Sequence, residues 1–123
     1  MLFLYHLEIK MSSEVTNINE HKVVLPTWLD TLIFNDLSAN YCRQNKDMVV
    51  LEWNFDDIKK YLGTYFPRSY AESFCIFSNF FSKEKYVYEN CQELSIFDFG
   101  CGTGGELIGF IIAVTKQLPN IKK

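Results

Sequence analysis

The chain reads as an α/β protein, with a helical N-terminal region leading into one strand, a glycine-rich turn and a closing helix. Two observations predict this. Between residues 26 and 90 apolar side chains recur at three- and four-residue intervals, the period of helices with one buried face. From residue 94 the pattern changes to a short apolar run, Leu94-Ser-Ile-Phe97, which ends in Asp98. Phe99-Gly100-Cys-Gly102-Thr-Gly104-Gly105 follows, and then a second apolar segment of helical length. The 123 residues divide accordingly into a loosely ordered N-terminal segment, 1–22, a helical region, 23–93, and the start of an α/β unit, 94–123.

Within the first segment, Met11-Ser-Ser-Glu-Val-Thr-Asn-Ile-Asn-Glu20 is polar and reads like an ordinary protein start. On that reading 1–10 is upstream sequence, and the alternative is a short edge strand over 2–9. Pro26 sits at a first helical position, and Trp28, Leu29, Leu32, Ile33, Leu37 and Tyr41 share one face of the helix it opens. Asn35, Asp36 and Arg43 fall on its wet side. Gln44-Asn-Lys-Asp47 breaks it, and 48–53 is a short strand or an extended connector.

Asn54 has the character of a helix cap, with Asp56 and Asp57 in the first turn, where the helix dipole favours negative charge. Ile58, Tyr61 and Leu62 supply the buried face, and Gly63 is expected to end that helix. Pro67 then opens the most amphipathic helix, carrying Tyr70, Phe74, Phe77 and Phe81 on one face, widened by Ala71, Cys75 and Ile76. Phe74 and Phe77 are expected in the core. Residues 83–90 form the frayed end of that helix and the link to the strand. Leu94, Ile96 and Phe97 suit a strand covered on both faces. The last helix, 106–117, is apolar nearly all round and is stopped by Pro119 and Asn120.

Hydrophobic residues make up 48% of the chain and aromatics 16%, enough apolar surface for a core and too much for a disordered segment. The net charge of −3 argues against broad electrostatic binding of nucleic acid, since phosphate contacts need clustered Lys and Arg. Cys42, Cys75, Cys91 and Cys101 have no C-x-x-C spacing, and only His6 and His21 are available to join them, so no metal site is expected. Their placement on apolar faces and in a loop reads as reduced thiols and hence a cytoplasmic protein. Cys101 has no His nearby in sequence to activate it as a nucleophile. No run reaches the roughly 18 apolar residues of a membrane span, and Met1-Leu-Phe-Leu-Tyr5 lacks the basic start of a signal peptide.

The segment from Leu94 to Ile108 carries the chemistry. Glycines at 100, 102 and 104 let the backbone turn sharply and approach a ligand without Cβ clash, and the following helix aims its free N–H groups at the same point. Gly100, Gly102 and Gly105 also spell the G-x-G-x-x-G of a nicotinamide dinucleotide fingerprint. Asp98 separates the two options. A carboxylate two residues before the first glycine repels a pyrophosphate and attracts a sulfonium or an ammonium.

Asp98-Phe-Gly100-Cys-Gly102-Thr-Gly104 resembles motif I of the class I S-adenosylmethionine-dependent methyltransferases, an acidic residue followed by G-x-G-x-G. The resemblance covers 94–118 and implies an incomplete Rossmann-like methyltransferase fold, of which this chain is an N-terminal fragment ending after motif I and its helix. It implies that Gly100, Gly102 and Gly104 lie under the methionine portion of the cofactor S-adenosyl-L-methionine. Asp98 holds the loop or the ammonium, and the backbones of Cys101 and Thr103 hydrogen-bond. In that family the first turn of the helix before the first strand reaches the methionine end, which places Arg68 and Tyr70 there. Tyr61-Leu-x-x-Tyr-x-Pro-Arg-Ser-Tyr-Ala71 is also similar to the corresponding region of ribosomal small-subunit assembly methyltransferase-like proteins. Those carry Ala and Pro where this chain has Cys101 and Thr103. No residue is assigned to the methyl-transfer proton, and the methyl acceptor is not legible. Two other readings stand beside a methyltransferase fragment inactive alone. One is a binding or regulatory module that meets a protein partner, or a second copy, through the incomplete sheet. The other is a fragment of an NAD-dependent oxidoreductase.

Overall fold

The computed structural model describes residues 23–43 and 53–122, so the N-terminal segment 1–22, its possible edge strand, and 48–52 of the possible connector strand lie outside them. The architecture is mostly helical. Helix α1, Thr27–Asp30, follows Pro26 and widens directly into a π-helical segment, Thr31–Asp36. Helix α2, Phe55–Glu84, runs 30 residues and tightens into a single 3-10 segment, Lys85–Tyr88. Helix α3, Gly105–Gln117, closes the chain.

The expected Rossmann-like α/β fold is not present: no strand occurs among the described residues. A strand is defined by the neighbour that takes its ladder hydrogen bonds, and no described segment runs beside 94–99 to supply them. That segment is held instead by side-chain contact and by its flanks. Leu94 packs against the buried group Phe81, Val114 and Leu118. The Lys122 N–H donates to the Gln92 carbonyl at 2.9 Å, and the Asn120 side chain donates to the Glu89 carbonyl at 3.2 Å. Ile96 and Phe97, expected to be covered, are 45% and 88% exposed, and Phe99 at the turn is 92% exposed.

A second correction concerns α2, which continues through both Gly63 and Pro67. Asn54 accepts from the Asp57 N–H at 2.9 Å, as its capping character predicts. Pro67 removes the N–H that would bond the Gly63 carbonyl, a cost of about 3 kcal/mol. Burial on either side outweighs it. Phe66, Tyr70 and Phe74 are 4%, 0% and 0% exposed, and each contributes about 1.5–3 kcal/mol on burial. Gly63 is used for approach rather than termination, because a Cβ there would lie 2.5 Å from the Asn40 backbone.

That approach secures residues 39–42. The Asn40 N–H donates to the Lys59 carbonyl at 3.0 Å. The Cys42 N–H donates to Thr64 Oγ1 at 3.0 Å, and the Thr64 hydroxyl donates back to the Cys42 carbonyl at 3.2 Å. The first helix therefore ends earlier than its apolar period suggests. Ser38 adopts a left-handed φ of 52°, Ala39 N–H donates back to the Ile33 carbonyl at 3.0 Å, and Leu37 and Tyr41 stay exposed.

Helices α2 and α3 run side by side in the same direction: Gly105 meets Phe66 and Tyr70, Gly109 meets Tyr70 and Phe74, and Phe110 meets Phe77 and Phe81. Leu29 and Ile33 of the first helix cover the upper part of this seam, with Phe66, Tyr70, Phe74 and Ala113 beneath them. Phe74 is in the core as expected. Phe77 is half-buried, edge-on to Phe110 at 4.6 Å, and Cys75 and Ile76 face outward.

A Cβ on Gly109 would lie 2.5 Å from the Tyr70 carbonyl oxygen and 3.0 Å from the Phe74 amide nitrogen. Helix propensity alone favours Ala over Gly by about 1 kcal/mol. Forced separation of packed elements costs about 1–3 kcal/mol. Gly109→Ala is therefore expected to destabilise the protein by up to about 2 kcal/mol in urea unfolding, and a gain in stability would contradict the packing described.

Candidate ligand-binding site at the glycine loop

The turn between 99 and α3 is built from three left-handed glycines, with φ of 77° at Gly100, 52° at Gly102 and 79° at Gly104. Side chains other than glycine reach this region only with strain, so the spacing of the glycines sets the path of the loop. The Gly104 N–H donates to the Cys101 carbonyl at 2.7 Å, closing the turn. Thr103 Oγ1 accepts from the Gly105 N–H at 3.4 Å, and the Gly104 carbonyl begins the α3 ladder by accepting from Ile108 N–H at 3.1 Å. The turn and the helix after it thus lie where the sequence places them. The Cys101 carbonyl is spent within the loop, and its exposed thiol is free.

Asp98 stands at the threshold of this loop. Its Oδ2 is buried and has no hydrogen-bond partner among the described residues, an arrangement that costs about 1–3 kcal/mol when nothing satisfies the acceptor. The carboxylate lines a cleft of about 320 Å³ between 95–99, the first turns of α3 and Phe77 of α2. Ile96, Phe97, Phe99 and Phe110 supply apolar walls, and Glu106 brings a second carboxylate to the same cleft. Two acidic groups with no cation among the lining residues favour a positively charged occupant and disfavour a pyrophosphate. Sequence reasoning missed Glu106, although an acidic residue in the first turn of a helix behind a glycine loop was the available signal.

Of the residues singled out in the sequence, Asp98 lines the cleft, while Gly100, Cys101, Gly102, Thr103 and Gly104 form the turn that follows it in the chain and do not line it. Arg68 and Tyr70 do not line the cleft. Arg68 Nε donates to Glu72 Oε1 at 3.0 Å on an exposed side of α2, and Tyr70 is wholly buried, its ring stacked on Phe74 at 6.0 Å. Pro67 lies inside a continuous helix, so no first turn is present at 67–70 to reach a ligand.

A different aromatic residue of α2 meets the loop. A Cβ at Gly102 would lie 3.4 Å from the Tyr61 hydroxyl. Tyr61 in turn contacts Trp53 edge-on at 4.8 Å and Tyr65 at 4.9 Å. The sequence reading assigned Tyr61 to a buried face, because helical spacing does not distinguish a core position from one that flanks a ligand loop.

Among the described residues no three His, Cys, Asp or Glu side chains converge as a metal site would require, and no helix is long and apolar enough to cross a membrane. No family model, curated protein or solved structure matches the chain.

Because Asp98 Oδ2 is buried without a partner among the described residues, removing it should relieve the free protein. Asp98→Ala is expected to leave the unfolding free energy unchanged or raise it by up to about 1 kcal/mol. A loss of more than about 1 kcal/mol in urea unfolding would mean that the carboxylate is structural.

Proposed function

We propose that this chain carries the S-adenosyl-L-methionine-binding loop of a cytoplasmic methyltransferase, as an N-terminal part that is inactive alone. The observation that carries the reading is the buried, unpartnered Asp98 carboxylate oxygen at the start of a loop of three left-handed glycines. A carboxylate in that state is stabilised by a cation that reaches it, and the methionine end of this cofactor brings an ammonium beside a sulfonium. Glu106 adds to the negative potential of the same cleft and weighs against the dinucleotide alternative.

On this reading Asp98 holds the ammonium, Gly100, Gly102 and Gly104 let the backbone pass close to the methionine chain, and Cys101 and Thr103 shape the loop through their backbones and the Thr103 hydroxyl. When bound, S-adenosyl-L-methionine supplies a methyl group on a positively charged sulfur, open to in-line displacement. The chain's own part is alignment and exclusion of water from one side of that sulfur, by the apolar walls Ile96 and Phe110. The described residues around the loop provide no acidic group for ribose hydroxyls beyond Asp98 and Glu106. Each missing charge-assisted hydrogen bond removes about 1.5–3 kcal/mol, so binding by this chain is weak and methyl transfer requires further polypeptide. The four cysteines, none of them in a disulfide among the described residues, fit a reducing compartment.

Nuclear magnetic resonance titration of the isotope-labelled chain suits weak binding. S-adenosyl-L-methionine at millimolar concentration is expected to shift the amides of Gly100, Gly102 and Gly104, and NAD at the same concentration is not. Asp98→Ala should weaken the response about 10- to 100-fold, the equivalent of one charge-assisted hydrogen bond. Equal shifts with NAD, or a response unchanged in Asp98→Ala, would defeat the reading.

A further inference from the structure

The cleft at Asp98 holds one more negative charge than a single ammonium answers. Asp98 and Glu106 both line it, and none of its other lining residues is charged. The two carboxylates differ in setting. Asp98 is half-buried, with Oδ2 enclosed and unpartnered among the described residues, whereas Glu106 is exposed. Glu106 is the second residue of α3, and the Ser73 hydroxyl of α2 donates to its carbonyl at 2.7 Å, which fixes the backbone that carries the second carboxylate. Its side chain makes no hydrogen bond or ion pair with any described residue. An acidic residue in a first helical turn also complements the helix dipole. That role alone is indifferent to what occupies the cleft.

We infer that Glu106 is a specificity-determining residue that selects the sulfonium ligand over its neutral demethylated product, S-adenosyl-L-homocysteine, an inference that rests on the S-adenosyl-L-methionine reading of the cleft. The two ligands carry the same ammonium, carboxylate and nucleoside. They differ by one methyl group and one positive charge on sulfur. Asp98, paired with the ammonium, treats them alike, and a second carboxylate has a cationic partner only while the sulfur is charged. Opposite unit charges about 4 Å apart in a water-exposed setting attract each other enough to change affinity about fivefold. The spent ligand is then held less tightly than the fresh one through the charge count of the cleft itself.

Both ligands, titrated separately into the isotope-labelled chain and read at the amides of Ser95 and Leu107, which line the cleft, test this. The parent is expected to bind S-adenosyl-L-methionine about fivefold more tightly than S-adenosyl-L-homocysteine, and the preference should shrink at about 1 M salt, where exposed charges are screened. Glu106→Gln should weaken the sulfonium ligand about fivefold and leave the neutral one unchanged, so that the two bind alike. Asp98→Ala should weaken both by the same factor. Asp36→Asn, at an exposed acid of the π-helical segment that does not line the cleft, should keep the preference intact. Equal affinities in the parent, a preference that survives in Glu106→Gln, or one lost equally in Asp36→Asn overturns the inference, while the loop reading stands as long as both ligands depend on Asp98. Lower stability of Glu106→Gln in urea with an unchanged preference would likewise reduce Glu106 to its helix-dipole role. A preference governed by Glu106, beside ligands indifferent to Asp98→Ala, upholds the inference and removes the ammonium from Asp98 instead. Ligands that shift neither amide defeat both.

Discussion

Helices α2 and α3 touch backbone to backbone, and the position of every functional group described depends on that contact. Gly105 and Gly109 present no side chain to the groove between Phe66 and Phe74, so main-chain atoms of the two helices approach as closely as side-chain-free surfaces permit. Ser73 anchors the seam by donating its hydroxyl to the Glu106 carbonyl at 2.7 Å. With α3 held at this distance its first residue can lie in only one place. The left-handed turn that ends at Gly104 is therefore carried beside Tyr61 of α2, and the cleft opens between α3, 95–99 and Phe77.

The free energy of this arrangement is distributed unevenly. Dense burial around Tyr70 and Phe74 supports two features that are unfavourable alone, a proline within a 30-residue helix and an unpartnered carboxylate oxygen at Asp98. Local features of that kind persist when the surrounding packing overdetermines them. The proline is explained by packing. The carboxylate is not, since no described residue satisfies it, and this asymmetry is what the proposed ligand at the loop is argued from.

What was legible in the sequence was what is decided locally. The Asn54 cap, the Tyr70 and Phe74 face, the glycine turn and the limits of α3 follow from capping chemistry, helical period and backbone freedom, and each is found where the residues place it. What was not legible depends on partners distant in sequence. Gly63 and Pro67 read as a boundary because the burial that carries the helix through them comes from residues 40 and 105–113. Gly105 fits two patterns at once: the third glycine of a nucleotide fingerprint and the first small residue of Gly105, Gly109 and Ala113 at helical spacing. Only tertiary contact reveals that it serves the second. The run 94–99 has the composition of a strand, but composition supplies no neighbour, and the same apolar residues settle against helices instead.

Amide hydrogen exchange separates a helical seam from an α/β layer most directly. The account predicts that amides of 66–74 and 105–113 exchange together, only through the opening that unfolds the whole protein, while amides of 95–99 exchange at rates close to those of an unstructured chain. Protection of 96–98 comparable to that of the two helices would show ladder hydrogen bonds at that segment. It would contradict the claim that α2 and α3, and not a sheet, hold the glycine loop in place.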